Sequence, residues 1–217
     1  MDHINDTAKI NEKHKPHYHA ELYYPLDTVP IDIKKPGKRV KGGGLGSSVD
    51  KSLTDLEILT LTDNMCKIVM YDKIHLYDDI TQLFGDYDCI ALLYQIKSKS
   101  YGHWVALILD RDNKVVYFFD SYGNLIDKQL LFADDTIRQL CHENHNYLSE
   151  LIYESGYDVD FNNKHLQEAK QGINTCGRWV ASRIIYKDLT NEEFADLFTP
   201  HNDSYSSMTW YAHIQAL

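Results

Sequence analysis

Three apolar runs of strand length follow one another in the middle of the chain: CIALLYQI over 89–96, WVALILD over 104–110 and KVVYFFD over 114–120. Their valine, isoleucine, tyrosine and phenylalanine content suits strands. The polar Arg111-Asp112-Asn113 between the second and third makes a tight turn, which predicts an antiparallel hairpin. Helical signals surround these runs. Thr54-Asp55-Leu56-Glu57 fits the S/T-x-x-E capping box, with Leu53, Leu56, Ile58 and Leu59 as apolar positions of a short helix. A second short helix is predicted over 77–84. Residues 125–142 carry Ile126, Leu130, Leu131, Ile137 and Leu140 at helical spacing, and 157–161 reads as a short strand. From Cys176 the segment GRWVASRIIYKDL has helical spacing again, and Thr190 or Asn191 can cap a last helix running to Phe198. Strands and helices in this mixed order predict an α+β domain: a central mixed, largely antiparallel sheet flanked by helices, with Cys176 at the N-terminus of the central helix.

Composition divides the chain in two. Residues 1–50 hold four of the five prolines (Pro16, Pro25, Pro30, Pro36), the run KHKPHYH and the segment KKPGKRVKGGGLGSS. Such a stretch buries little, so 1–50 is predicted to be an extended arm with a glycine-rich linker and 51–217 the folded domain. The net charge is −10, and all the acidity lies beyond the arm. That argues against non-specific nucleic-acid binding by the main body. Cys66, Cys89, Cys141 and Cys176 form no C-x-x-C pair and follow no secretory signal, so a reducing compartment is expected and a disulfide framework is not. No apolar run approaches the ~20 residues that span a bilayer, so no membrane association is expected.

The candidate chemistry lies in three places. Gly102-His103-Trp104 opens one hairpin strand, and Phe119-Asp120-Ser121-Tyr122 closes its partner. Hairpin pairing puts His103 and Asp120 near one end of the sheet, where the carboxylate can fix the tautomer and orientation of the imidazole. Cys176 meets a helix N-terminus, where the dipole favours the thiolate, which is the attacking species. Singly, each has a plainer reading: a core histidine, a turn aspartate, a buried thiol. Cys66 and Cys89 have no His–Asp pairing within sight and read as core, while Cys141 extends the apolar side of its helix. Cys141-His142-x-x-His145 and HKPHYH lack a second ligand cluster at zinc spacing, so no metal or other cofactor is expected.

GHWVALILD, VVYFFDSYG and QGINTCGRWV together closely resemble the clan CE cysteine proteases, which include adenovirus maturation protease (adenain) and the SUMO proteases. The likeness covers roughly residues 85–190, and among clan members it is nearest to a viral or virophage maturation protease. It implies that Cys176 is the nucleophile, His103 the general base and Asp120 the residue orienting His103. It further implies that a glutamine shortly before the cysteine supplies the oxyanion hole with the cysteine's backbone N–H. Gln171 is the best match and Gln167 the second choice. Trp104 resembles the tryptophan that walls the substrate channel, or else it simply anchors the strand.

The resemblance implies a cysteine endopeptidase acting on protein substrates, first among them capsid or other virion structural proteins cut at glycine-containing sites. It would work in the host cytoplasm or virus factory and in the virion. Val40-Lys41-Gly42-Gly43-Gly44 resembles the sites that viral members cut, which makes Gly43–Gly44 a candidate for self-cleavage; a flexible linker is the plainer reading. A deubiquitinase or deSUMOylase, and a non-catalytic binding module that retains the fold, remain open. Oligomeric state and any activating partner are not legible in the sequence.

Overall fold

The computed structural model describes residues 51–170 and 173–198. The arm, Gly43, Gly44 and Gln171 therefore lie outside the described residues. The elements in order are α1 (Asp55–Leu61), β1 (Lys67–Met70), a 3-10 turn (Tyr71–Leu76), α2 (Ile80–Phe84), β2 (Cys89–Ser98), β3 (Tyr101–Asp110) and β4 (Val115–Phe119). There follow a 3-10 segment (Lys128–Phe132), α3 (Asp135–Leu140), α4 (Tyr147–Ser155), β5 (Asp158–Phe161), α5 (Cys176–Ile185) and α6 (Asn191–Asp196). The strands form one five-stranded sheet in the order β1-β2-β3-β4-β5. β2–β3 and β3–β4 are antiparallel, while β1 and β5 add in parallel at the two edges. The predicted mixed α+β architecture is the one observed.

Both faces of the sheet are covered, which is why β2 and β3 are near-continuous apolar runs rather than alternating ones. One face presents Leu92, Tyr94, Val105, Leu107 and Phe118 to α2 and α4. The other presents Leu93, Trp104, Ala106, Ile108 and Phe119 to Ile58 of α1, Trp179, Val180 and Ile184 of α5, and Phe194 of α6. Full burial of such side chains stabilises by about 1.5–3 kcal/mol each. The capping box at Thr54 and Glu57 forms as read, and Thr190 caps α6 with a second box through Glu193.

Four segments depart from the sequence reading. Residues 125–142 are not one helix. Asp127 takes a left-handed φ of 62° and starts a 3-10 segment, and Asp134 then caps α3 afresh by accepting from the Ile137 N–H at 2.8 Å. Residues 77–84 shorten to α2 because Asp79 accepts from the Thr81 N–H, fixing the start at Ile80. β1 and α4 were not anticipated.

α5 is buried along nearly its whole length. Its C-terminal turn is held by fully buried Arg183, which donates to Asn191 Oδ1 (3.1 Å) and to the carbonyls of Tyr186 (2.9 Å) and Leu189 (2.7 Å). Its N-terminal turn is held by Arg178, which donates to the Lys51 carbonyl at 2.7 Å. Anchoring at both ends leaves Cys176 at a fixed point against β3.

Candidate active site

β4 pairs with β3 only as far as Phe119, opposite Ala106. The first residues of β3 thus run on past the end of β4, and His103 and Trp104 lie on this stretch. Gly102 precedes them beside a register shift in β2–β3; a Cβ there would sit 1.6 Å from the Tyr94 carbonyl oxygen, so the close crossing requires glycine.

Asp120 follows β4 directly, fully buried. Its Oδ1 lies 2.8 Å from His103 Nε2 and accepts from the Tyr122 N–H at 2.8 Å. Its Oδ2 accepts from Gln129 Nε2 at 2.7 Å, and its backbone carbonyl accepts from Asn162 Nδ2 at 2.8 Å. His103 Nε2 is taken by Asp120, and the imidazole and the Cys176 thiol act on each other electrostatically. The Tyr122 ring stacks on the imidazole at 4.9 Å and 22°.

Cys176 is the first residue of α5. Thr175 offers no side-chain cap, so the leading N–H groups of the helix are not capped from that side. The backbone N–H groups of Gly177 and Trp104 act on the Cys176 sulfur in the direction that favours the thiolate. Burial by itself would push this thiol up; the hydrogen bond and charge of His103 and those two N–H groups hold it below the ordinary cysteine value. Burial would push His103 down, but the Asp120 carboxylate and then Cys176 raise it to about 10. Asp120, against the upward push of burial, is held below the usual carboxylate range by His103, Gln129 and the Tyr122 N–H. The arrangement favours a thiolate–imidazolium pair steadied by a carboxylate.

The other candidates fall into place around it. Trp104 is buried, and its indole N–H donates to the Leu53 carbonyl at 3.1 Å. At Gly177 a Cβ would meet Leu53 Cβ at 2.9 Å and Trp104 Cδ1 at 3.4 Å, so the glycine lets both pack on the helix start. Gln167 is buried with its amide engaged; Oε1 accepts from Ser121 Oγ (2.8 Å) and Nε2 donates to Tyr122 Oη (3.0 Å). It thereby ties down the turn that carries Asp120. Cys66, Cys89 and Cys141 are buried, and burial pushes all three thiols up, Cys89 to about 12. Among the described residues no cluster of three His, Cys, Asp or Glu is placed to hold a metal, and no helix is long and apolar enough to cross a membrane.

No protein-family model matches this sequence. An uncharacterized protein of Sputnik virophage, V9, is 34% identical over 143 residues, spanning 66% of this chain and 81% of V9. The chain belongs to the V9 family. Among solved structures, the ASFV pS273R protease aligns over 71% of this chain and 68% of its own at 14% identity and a TM-score of 0.33. ChlaDub1 from Chlamydia trachomatis aligns over 76% and 77% at 12% identity and a TM-score of 0.37. At these scores the likeness is loose, and the chemistry of this V9-family member has to be judged on its own site.

Gln129, Tyr122 and Asn162 were missed in the sequence. Each acts on the position of His103 or Asp120; Tyr122 lies in the Phe119-Asp120-Ser121-Tyr122 run but had no role read for it, and Gln129 and Asn162 belong to no short motif.

Proposed function

We propose that this protein is a cysteine endopeptidase of the adenain and SUMO-protease type that trims viral structural proteins. One observation carries the reading: a buried imidazole, bonded to Asp120 at 2.8 Å, that holds down the pKa of a thiol at a helix N-terminus while that thiol raises its own. In the proposed reaction the Cys176 thiolate attacks the scissile carbonyl carbon, and the new oxyanion is received by the Cys176 N–H and the Gln171 side chain. His103 then gives its proton to the leaving amine as the C–N bond breaks, leaving a thioester. Water, deprotonated by His103, hydrolyses the thioester and restores the thiol. Trp104 would wall the channel beside Gly177.

Capsid proteins with glycine-containing sites, in the host cytoplasm or virus factory and in the virion, are the proposed substrates. Self-cleavage after Gly43 is compatible with the tether. Lys51 and Leu53 are fastened to Arg178 and Trp104 beside the nucleophile. Gly44 precedes Lys51 by seven positions, a reach of at most about 25 Å.

The test is incubation with the structural proteins of the source virus, wild type beside Cys176→Ala, read by mass spectrometry. Cuts after glycine in the wild type alone are expected, with loss of the arm if self-processing occurs. Identical fragments with both proteins would remove the peptidase reading. Labelling of Cys176 by ubiquitin or SUMO vinyl sulfone would move the assignment to an isopeptidase. Silence toward every thiol-directed electrophile would leave a binding module.

A further inference from the structure

We propose that Gln129 is a positioning residue of this site, acting through Asp120 to keep His103 aimed at Cys176. The inference rests on the nucleophile reading and deepens it. Asp120 has two carboxylate oxygens and three donors. Oδ1 is shared by His103 and the Tyr122 N–H, so Oδ2 would be free to turn away were it not for Gln129 Nε2 at 2.7 Å. Both partners are buried, Gln129 at 3% exposure, so no water replaces this donor without opening the core.

Gln129 is itself placed by an anchored segment. The preceding Asp127 has a left-handed backbone, and it is pinned on three atoms. Its Oδ1 accepts from Tyr94 Oη at 3.1 Å, its N–H donates to the same hydroxyl at 3.1 Å, and its Oδ2 accepts from the Ser149 N–H at 2.9 Å. Tyr94 lies directly across from His103 in the β2–β3 register. A closed circuit results: His103 to Asp120 to Gln129, along the 3-10 segment to Asp127, to Tyr94, and across the sheet to His103. The titratable groups around Asp120 are His103 from β3 and Tyr122 from the loop after β4, and Tyr122 in turn feels Cys176 from α5 and Tyr101 from β3. Gln129 is the neutral donor that leaves the sign of this set unchanged while fixing its geometry.

The experiment is the pH dependence of Cys176 alkylation by iodoacetamide on the full chain, followed on the Cys176 peptide by mass spectrometry. It needs no substrate. Gln129→Met keeps the length and loses the donor. Asp120 then takes up a proton more readily and swings off His103 Nε2, the imidazolium loses its partner, and the thiolate is harder to form. The midpoint should move up by about one pH unit, so that alkylation below the midpoint slows about tenfold. Leu83→Ala is the control: it opens a buried core position outside the Lys128–Phe132 segment, lowers the thermal midpoint and leaves the alkylation profile in place. Should Gln129→Met not fold, Gln129→Asn, which ends one methylene short of Asp120, carries the same expectation. A folded variant whose profile superimposes on a low wild-type profile overturns the role of Gln129. A wild-type midpoint at or above that of an ordinary thiol overturns the nucleophile reading instead.

Discussion

Asp120 and Glu143 are both buried to within 1% of complete, yet they behave in opposite ways. Asp120 is held below the usual carboxylate range. Glu143 is pushed up to about 7, burial being the main cause and the nearby Asp72 and Asp127 adding to it. Glu143 Oε1 accepts from the Gln95 N–H at 2.7 Å, but Oε2 is buried with no partner among the described residues. Donor number alone does not explain the contrast. Asp127 accepts from Tyr94 Oη and the Ser149 N–H, one donor on each oxygen, and burial still raises it. What Asp120 has and the others lack is the His103 ring within 2.8 Å. Neutral donors place a buried carboxylate and help to hold it ionised, but the nearby cation tips the balance against burial.

That comparison can be broken most forcefully at His103. His103→Ala should make Asp120 resemble Asp127, an acid with neutral donors and a raised pKa. A buried carboxylate stripped of its partner costs roughly 3 kcal/mol. Measured against His103→Ala/Asp120→Asn, which cancels the pH dependence that His103 itself contributes through its raised pKa, the Asp120 penalty is largest at about pH 8. It shrinks as pH falls toward the unfolded value, because the folded pKa of Asp120 then lies above the unfolded one. Chemical denaturation at about pH 8 and about pH 5 checks it; a loss equal at both would show that charge is not the cause.

A smaller change is expected at Tyr94→Phe, which removes the hydroxyl that both donates to and accepts from Asp127. Losing a donor to a buried acid and an acceptor for its N–H should cost about 2 kcal/mol by urea unfolding. A cost near zero would mean that the Asp127 turn does not depend on this hydroxyl.

The smallest effect has the opposite sign. Glu143→Gln keeps an oxygen for the Gln95 N–H and removes a charge that the site disfavours. Because Glu143 is raised in the folded state, the wild type carries a penalty that grows as pH rises through about 7. The variant should be more stable by about 1 kcal/mol at about pH 8 and indistinguishable at about pH 5. Scanning calorimetry at both pH values would settle it, and equal stability at about pH 8 would count against a charged, penalised Glu143.

The centre of the fold was legible in the sequence because its signals are long or chemically specific. β2, β3 and β4 are apolar runs closed by polar turns, and the Thr54 and Thr190 caps are spelled out by capping boxes. The spacing of His103, Asp120 and Cys176 could be read because a hairpin brings strand ends together whatever the side chains between. β1 is only Lys67–Met70, too short for a period to show. α4 has Leu148, Leu151 and Ile152 on one side but starts at Asn146 without a side-chain cap, so the usual start signal was missing. The reading of 125–142 as one helix failed at Asp127 and Asp134. A left-handed turn and a new cap interrupt an apolar spacing that by itself runs on. Gln129 depends on that interruption. On an uninterrupted helix its place would be set by the helical period, and only the pinned 3-10 segment delivers its amide to Asp120.

Cys176 is expected to be a thiolate because His103 and Asp120 make it one. Titrating the ultraviolet thiolate absorbance of the wild type against Cys176→Ser, and again in a His103→Ala background, tests it directly. The expected wild-type midpoint is well below the ordinary thiol value of about 8.5, and the His103→Ala midpoint is above it, since burial then acts unopposed. A wild-type midpoint at or above that value, or one that His103→Ala leaves in place, would contradict the account.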